Sequence, residues 1–233
     1  MRAGLSAPVP ELAGRTVLVT GGGSGICKGI AAAVLEKGAN VVVLEIEPAH
    51  IKAAAEELGP EVVWHEGSVG VAADVEAAFA PAIERFGGVD HLVDNAGTAA
   101  VALVEDTTEE AWDLIVDTLL KGTFLCTREF ARRLPDDGAP RSVVNISSLN
   151  AVAATDGMGS YCAAKAGVKS LTEVCAGELG RRNVRVNAIG PGLVGTPLGE
   201  GFSVGRPVDG GQHVRGLHSY WDVAFAQGLV ERP

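Results

Sequence analysis

The stretch "RTVLVTGGGSGICKGIAAAVLEKG", residues 15–38, decides how the rest of the chain is read. Its first six residues form a β-branched apolar run that reads as a buried strand. From residue 25 the apolar residues fall at helical spacing, and Gly38 stands where a helix C-cap is wanted. Between the two lie Gly21, Gly22 and Gly23. Glycine permits positive φ and close backbone approach. A helix opening just beyond such a turn aims its free N–H groups and positive dipole end at an anion. A plain glycine-rich surface turn is the alternative, but strand, glycine turn and helix in this order mark a dinucleotide-phosphate site.

Working outward, apolar strands read at 40–45, 61–66 and 141–148, with a further strand running into a turn over 89–97 and another into a loop over 183–192. Helical patterns fill 48–59, 73–87 (with Pro81 as a point of bending), 107–134 as one long helix, and 159–180. Strands alternating with helices predict an α/β fold: one doubly wound parallel sheet, Rossmann-like, covered on both faces. No linker or repeat divides residues 1–233, so one domain is expected, with an N-terminal arm at 1–13 and a C-terminal tail at 212–233.

Composition narrows the function classes. The chain is 47% hydrophobic and carries 19 basic against 29 acidic residues, a net charge of −10. That balance argues against a nucleic-acid partner, which needs a basic face. The cysteines Cys27, Cys126, Cys162 and Cys175 form no CxxC pair and no histidine clusters with them, so free thiols and no metal are expected. The N-terminus lacks the apolar core of a secretory signal, and no apolar run is long enough to span a membrane. A soluble cytoplasmic protein is the expectation.

Tyr161 and Lys165 are four apart on a helical pattern and so share a face. A phenol has a pKa of about 10, and a neighbouring ammonium lowers it, which makes the pair a general acid/base. By itself the spacing is weak evidence, because it arises by chance in many helices. Ser148, thirteen residues before Tyr161, and "NAIGPG" at 187–192 strengthen it.

Together these motifs resemble the short-chain dehydrogenase/reductase family over residues 15 to about 211. Thr20, Gly21 and Gly25 match its T-G-x-x-x-G-x-G pattern, with Cys27 in place of the last glycine. Cys27 is expected to leave one imperfect wall in the cofactor site. The resemblance implies that Gly21, Ser24, Gly25 and Ile26 border the cofactor. Glu45, ending the second strand, then accepts bonds from the adenosine ribose and disfavours the extra phosphate of NADP. The alternative for Glu45 is a strand end at the surface. Ser68 and Val69 stand where the family has an aspartate-valine pair beside the adenine. "DNAG" at 94–97 keeps Asn95, Ala96 and Gly97 of the family turn but has Asp94 in place of an asparagine. By the same resemblance Ser148 steadies the substrate oxygen, Tyr161 passes the proton, and Lys165 tunes Tyr161 and binds the nicotinamide ribose. Pro191, Gly192, Val194 and Thr196 then border the nicotinamide.

Two departures bear on activity. "TLLKGTF" places Leu119 where the family has an asparagine that helps hold a proton-relay water, and leucine cannot hydrogen-bond. Near residues 196–211 the segment that usually forms a helical substrate lid is short. In the tail, Trp221 and Phe225 form either an anchoring face for a neighbouring subunit or part of the chain's own packing.

The implied function is an NAD-dependent oxidoreductase interconverting a secondary alcohol and a ketone, with a small-molecule partner and a homo-oligomeric assembly, a tetramer. The alternatives are an NADP-dependent 3-oxoacyl reductase and a cofactor-binding scaffold of the same fold with reduced turnover.

Overall fold

The computed structural model describes residues 12–192 and 194–196. The short lid segment beyond residue 196, Trp221 and Phe225 in the tail, and all but the end of the N-terminal arm lie outside them. Six strands, β1 (Thr16–Thr20), β2 (Asn40–Glu45), β3 (Val62–Glu66), β4 (His91–Asp94), β5 (Arg141–Ile146) and β6 (Val184–Ile189), form one sheet in the order β3-β2-β1-β4-β5-β6. Every pairing is parallel. The helices are α1 (Gly25–Glu36), α2 (Pro48–Leu58), α3 (Ala72–Phe86), α4 (Glu109–Val116), α5 (Gly122–Arg132) and α6 (Gly159–Gly180).

Alternation along the strands explains the layers, because successive side chains leave a strand on opposite faces. Val63, Val42, Leu18, Leu92, Val143 and Val186 are register partners in one row across all six strands. They pack against Phe79 of α3, Phe130 of α5 and Leu179 of α6. The alternate residues Val17, Val19, Val93 and Ile146 pack on the other face against α1, and Val41 and Val43 pack against α1 and α2. Each face thus has its own apolar layer, as a buried parallel sheet requires.

Strand order reverses between β1 and β4, which opens a crevice at their carboxyl ends. Thr20 ends β1 there and pins the chain leaving β4. Its hydroxyl oxygen accepts the Asn95 and Ala96 backbone N–H groups at 3.0 and 3.1 Å. Gly21 turns with φ +70°, and a Cβ on it would lie 2.9 Å from the Ala96 Cα. Only glycine fits so close a crossing.

Two sequence expectations are corrected. The helix read over 107–134 is not uniform: Asp117–Lys121 between α4 and α5 is wound as a π segment. The Gly122 N–H reaches back to the Asp117 carbonyl, and the Thr123 hydroxyl donates to the Leu119 carbonyl at 2.9 Å. The fourth strand, read over 89–97 as running into a turn, covers His91–Asp94, and the Asn95 and Ala96 amides of the turn bond to Thr20. The fifth strand stops at Ile146, and Ser148 instead caps a 3₁₀ turn at Leu149–Ala151. Gly38 has the positive φ (+77°) of a helix stop, one residue past the cap at Lys37. Pro81 lies inside α3.

Candidate active site

The crevice is a cavity of about 770 Å³ that runs from β2 to α6. At its centre lie Gly21, Ser24, Gly25 and Ile26 of the glycine turn and the start of α1. Ser24, the residue before α1, makes no side-chain cap, and no acidic residue stands in the first turn. The N–H groups that open this helix are therefore left for an anion.

At one end Glu45 closes β2. It is 5% exposed, so the surface alternative falls. One carboxylate oxygen accepts the Gly23 N–H at 3.0 Å, and the other accepts the Ile46 and Glu47 N–H groups at 3.0 and 3.1 Å. Three backbone donors fix this carboxylate against the turn, with about one acceptor direction still open. His50 Nδ1 stands 3.9 Å from Glu45 Oε1 and also lines the cavity. The sequence reading missed His50, which only the packing of α2 brings to the site. Ser68 and Val69 form the next wall; the Ser68 hydroxyl accepts the Gly70 N–H at 3.2 Å. Asn95, Ala96 and Gly97 line the floor.

At the other end Ser148, Tyr161 and Lys165 meet. Lys165 is 5% exposed and donates to the Ile146 carbonyl at 2.7 Å. Its ammonium lies 5.8 Å from the centre of the Tyr161 ring. Burial lowers Lys165 to about 8, opposed by the charges of Cys27 and Asp94. Tyr161 departs from expectation in direction. Burial raises it above the ordinary phenol value, and the Ser148 hydroxyl, which hydrogen-bonds to it, only partly reverses this. The lysine is held by the β5 backbone, and desolvation governs the phenol. Pro191, Gly192, Val194 and Thr196 complete this end. Asn150, Thr155 and Met158 line it as well. No spacing in the sequence singled them out, because they sit in irregular chain between β5 and α6.

Every residue singled out from the sequence as catalytic or cofactor-bordering thus lies on one cavity. Cys27 does not. It is fully buried against Val17, Val19, Val93 and Ile146, and its thiol is pushed up to about 12 by burial. The expected imperfect wall is absent because the side chain turns into the sheet rather than toward the crevice. Leu119 lies where the sequence put it, lining the cavity and packed with Ile115, Ala164 and Tyr161. Asp94, beneath the floor, is 3% exposed. Its Oδ1 accepts the Thr20 hydroxyl at 3.4 Å, Oδ2 is buried without a hydrogen-bond partner, and the Cys126 and Thr127 side chains stand beside the carboxyl. Burial raises its carboxyl to about 7.

The family model for short chain dehydrogenase matches residues 15–204. This chain belongs to the short-chain dehydrogenase/reductase family. It is 38% identical over 192 residues to a D-threitol dehydrogenase of Mycolicibacterium smegmatis, covering 81% of this chain and 74% of the relative. A D-beta-hydroxybutyrate dehydrogenase of Cupriavidus necator is 37% identical over 190 residues, covering 80% and 73%. The crystal structure of a short chain dehydrogenase from Bacillus anthracis superposes with a TM-score of 0.75 at 30% identity, covering 78% of this chain and 77% of that one. The protein is therefore an oxidoreductase of CH–OH groups that uses NAD(P). Among the described residues no helix is long and apolar enough to cross a membrane, and no cluster of side chains is arranged to hold a metal ion.

Proposed function

We propose that this short-chain dehydrogenase prefers NAD and interconverts a secondary alcohol and a ketone, with Tyr161 as general acid/base. The observation that carries the reading is the placement of Ser148, Tyr161 and Lys165 on the same cavity as an uncapped helix N-terminus and a buried acid at the end of β2. The residues fit a dinucleotide. The close crossing at Gly21 and the open N–H groups of α1 suit a pyrophosphate, and Glu45 suits a ribose hydroxyl donor. When bound, the nicotinamide supplies the hydride acceptor or donor.

This chain's own residues do the rest. Gly21, Ser24, Gly25 and Ile26 hold the diphosphate. Ser68, Val69, Asn95, Ala96 and Gly97 border the adenine side, and Pro191, Gly192, Val194 and Thr196 border the nicotinamide. Ser148 aims a hydroxyl at the substrate oxygen. Tyr161 gives its proton to that oxygen in reduction and takes it in oxidation. Lys165, buried and charged, offsets the cost of the phenolate. Glu45 is a fixed carboxylate that would repel a 2′-phosphate, and among the described residues the only Lys or Arg lining the cavity is Lys165 at the far end, which favours NAD.

A second reading, a cofactor-binding protein with slow turnover, is favoured by Leu119. An apolar side chain stands against Tyr161 where a relay to solvent would need a polar one. An NADP-dependent 3-oxoacyl reductase is disfavoured by the placement of Glu45.

We also propose one catalytic domain that assembles as a homo-oligomer, a tetramer. Phe124 of α5 and Val174 of α6 are 44% and 52% exposed, and apolar residues left bare on the long helices are suited to a two-fold contact. Light scattering tests it, and a monomer at micromolar concentration would contradict it.

The deciding experiment is steady-state NADH formation over alicyclic, steroid, polyol and hydroxyacyl alcohols. Turnover with NAD that disappears in Tyr161→Phe is the expected result. Turnover that survives Tyr161→Phe unchanged would remove Tyr161 from its role.

A further inference from the structure

The Ser148 hydroxyl has one proton and two acceptors within reach. One is Tyr161, whose ionised form it stabilises. The other is Asn150, whose side-chain oxygen lies 3.4 Å from Ser148 Oγ. Ser148 Oγ also accepts the Asn150 backbone N–H at 3.1 Å, a bond that any residue at position 150 supplies. The Asn150 amide is itself held. Its Nδ2 donates to Thr155 Oγ1 at 2.8 Å and faces Cys162 Sγ at 3.6 Å. With the NH₂ group engaged there, the amide oxygen is the atom turned to Ser148. Asn150 and Thr155 both line the cavity beside Tyr161.

We infer that Asn150 is a positioning residue, its amide oxygen being the resting acceptor of the single Ser148 proton, which Tyr161 takes over when its phenol ionises. The inference rests on the proposed role of Ser148 and Tyr161. It gives the site a two-position hydroxyl. While Tyr161 is neutral and no substrate is bound, Ser148 points to Asn150. As the phenolate forms, Ser148 rotates and supports it. No bond to hydrogen breaks in this rotation. The ionisable groups facing Tyr161 are Lys165 and Cys162, both of α6. Among the described residues, the apolar side chains packed with it include Ile115, Leu119, Leu120 and Ala164. Substitution at position 150 removes the Nδ2 contact to Cys162, a loss that Asn150→Ala and Asn150→Asp share and that cannot by itself give shifts of opposite sign.

Two substitutions then move Tyr161 in opposite directions. Asn150→Ala removes the competing acceptor but keeps the backbone N–H, so the phenolate gains the Ser148 proton and Tyr161 binds its own proton severalfold less tightly. Asn150→Asp strengthens the competitor and adds a negative charge, so Tyr161 binds its proton about tenfold more tightly. A purely structural role for Asn150 would not produce opposite signs.

The chain has two tyrosines, Tyr161 and Tyr220, so a near-ultraviolet phenolate titration of the full-length protein, corrected with Tyr161→Phe, isolates the group. Thr155→Val is the second variant. It releases the amide without touching position 150 and should move Tyr161 in the same direction as Asn150→Ala, even if that variant folds poorly. Shifts of opposite sign for alanine and aspartate, with Thr155→Val following alanine, support the inference. Shifts of one sign, or none, overturn it. The titration needs no substrate, so loss of the dehydrogenase reading, seen as no turnover in the parent, is told apart from loss of this one. Where turnover is present, Asn150→Asp should also move the acidic limb of alcohol oxidation to higher pH.

Discussion

At the scale of single residues, the site is governed by burial. Glu45, Asp94, Lys165 and Ser148 are all at most 8% exposed, and each is charged or polar. Asp94 has the clearest consequence. Its carboxyl goes from an ordinary 3.8 to about 7, because burial outweighs its hydrogen bonds and the charge of Lys165. Between those two values the folded protein keeps a proton that the unfolded chain has released. Stability therefore falls as pH rises through this window, by about 1.4 kcal/mol per pH unit at most. Asp94→Asn removes the ionisation. It is expected to raise the melting temperature at pH 8, with the gain shrinking toward pH 4, as thermal denaturation across pH would show; a gain independent of pH would place the effect elsewhere. If a relay to solvent runs past Tyr161, Leu119 bears on rate instead. Positioned acid/base groups contribute roughly 10²–10⁴-fold, so a weakened relay costs no more than that. Leu119→Asn should raise kcat while leaving NAD affinity alone, at some cost in stability from an amide among Ile115, Ala164 and Tyr161. If the folded, NAD-binding variant is no faster than the parent, Leu119 does not limit turnover.

At the scale of elements, the segment from α4 to α5 shows what the sequence discloses and what it hides. The strands and α6 were legible because their apolar spacing is regular; α6 and β2 fall at the residues read from the sequence. The π segment was not, because its apolar residues, Leu119 and Leu120, read as ordinary helix. The extra residue in the turn sets Leu119 beside Gly97 and Leu120 beside Gly167. Such long-range contacts leave no local pattern. The same holds for Cys27, whose direction depends on how α1 packs on β1 and β4, and for Asn150, which lies in irregular chain. The Gly, Tyr and Lys positions were legible because backbone approach and shared helix faces are local matters. Gly122 tests the packing of this element directly. A Cβ there would sit 2.7 Å from Val69 Cγ2, and Val69 lines the cavity. Gly122→Ala should destabilise by about 1–3 kcal/mol through overpacking. It should also weaken dinucleotide binding, because the displaced side chain is part of the site's wall. Denaturant unfolding and cofactor titration check both; a variant with unchanged affinity would separate this helix from the site.

At the scale of the whole molecule, the cofactor and the fold should be thermodynamically linked. The crevice is made from the carboxyl ends of β1, β2, β4 and β5 together with α1 and α6, so an unfolded chain has no site at all. A ligand that binds only the folded state stabilises it according to its concentration relative to Kd. At a hundredfold excess the gain is about 2.7 kcal/mol. If Glu45 acts as proposed, this linkage is selective. Its carboxylate is fixed by the N–H groups of Gly23, Ile46 and Glu47, and it cannot swing away from an added phosphate without abandoning them. Equal concentrations of NAD and NADP should therefore raise the melting temperature unequally, with NAD giving the larger rise. Glu45→Ala should narrow the difference in two ways. It removes the repulsion toward NADP, and it leaves the Gly23 N–H without its partner, which loosens the turn that both cofactors share. The second effect predicts that the NAD response itself shrinks, beyond any gain for NADP. Thermal shift of parent and variant with each cofactor separates the two contributions. Equal responses in the parent would end the case for NAD preference; an undiminished NAD response in Glu45→Ala would show that the carboxylate discriminates between cofactors without holding the turn.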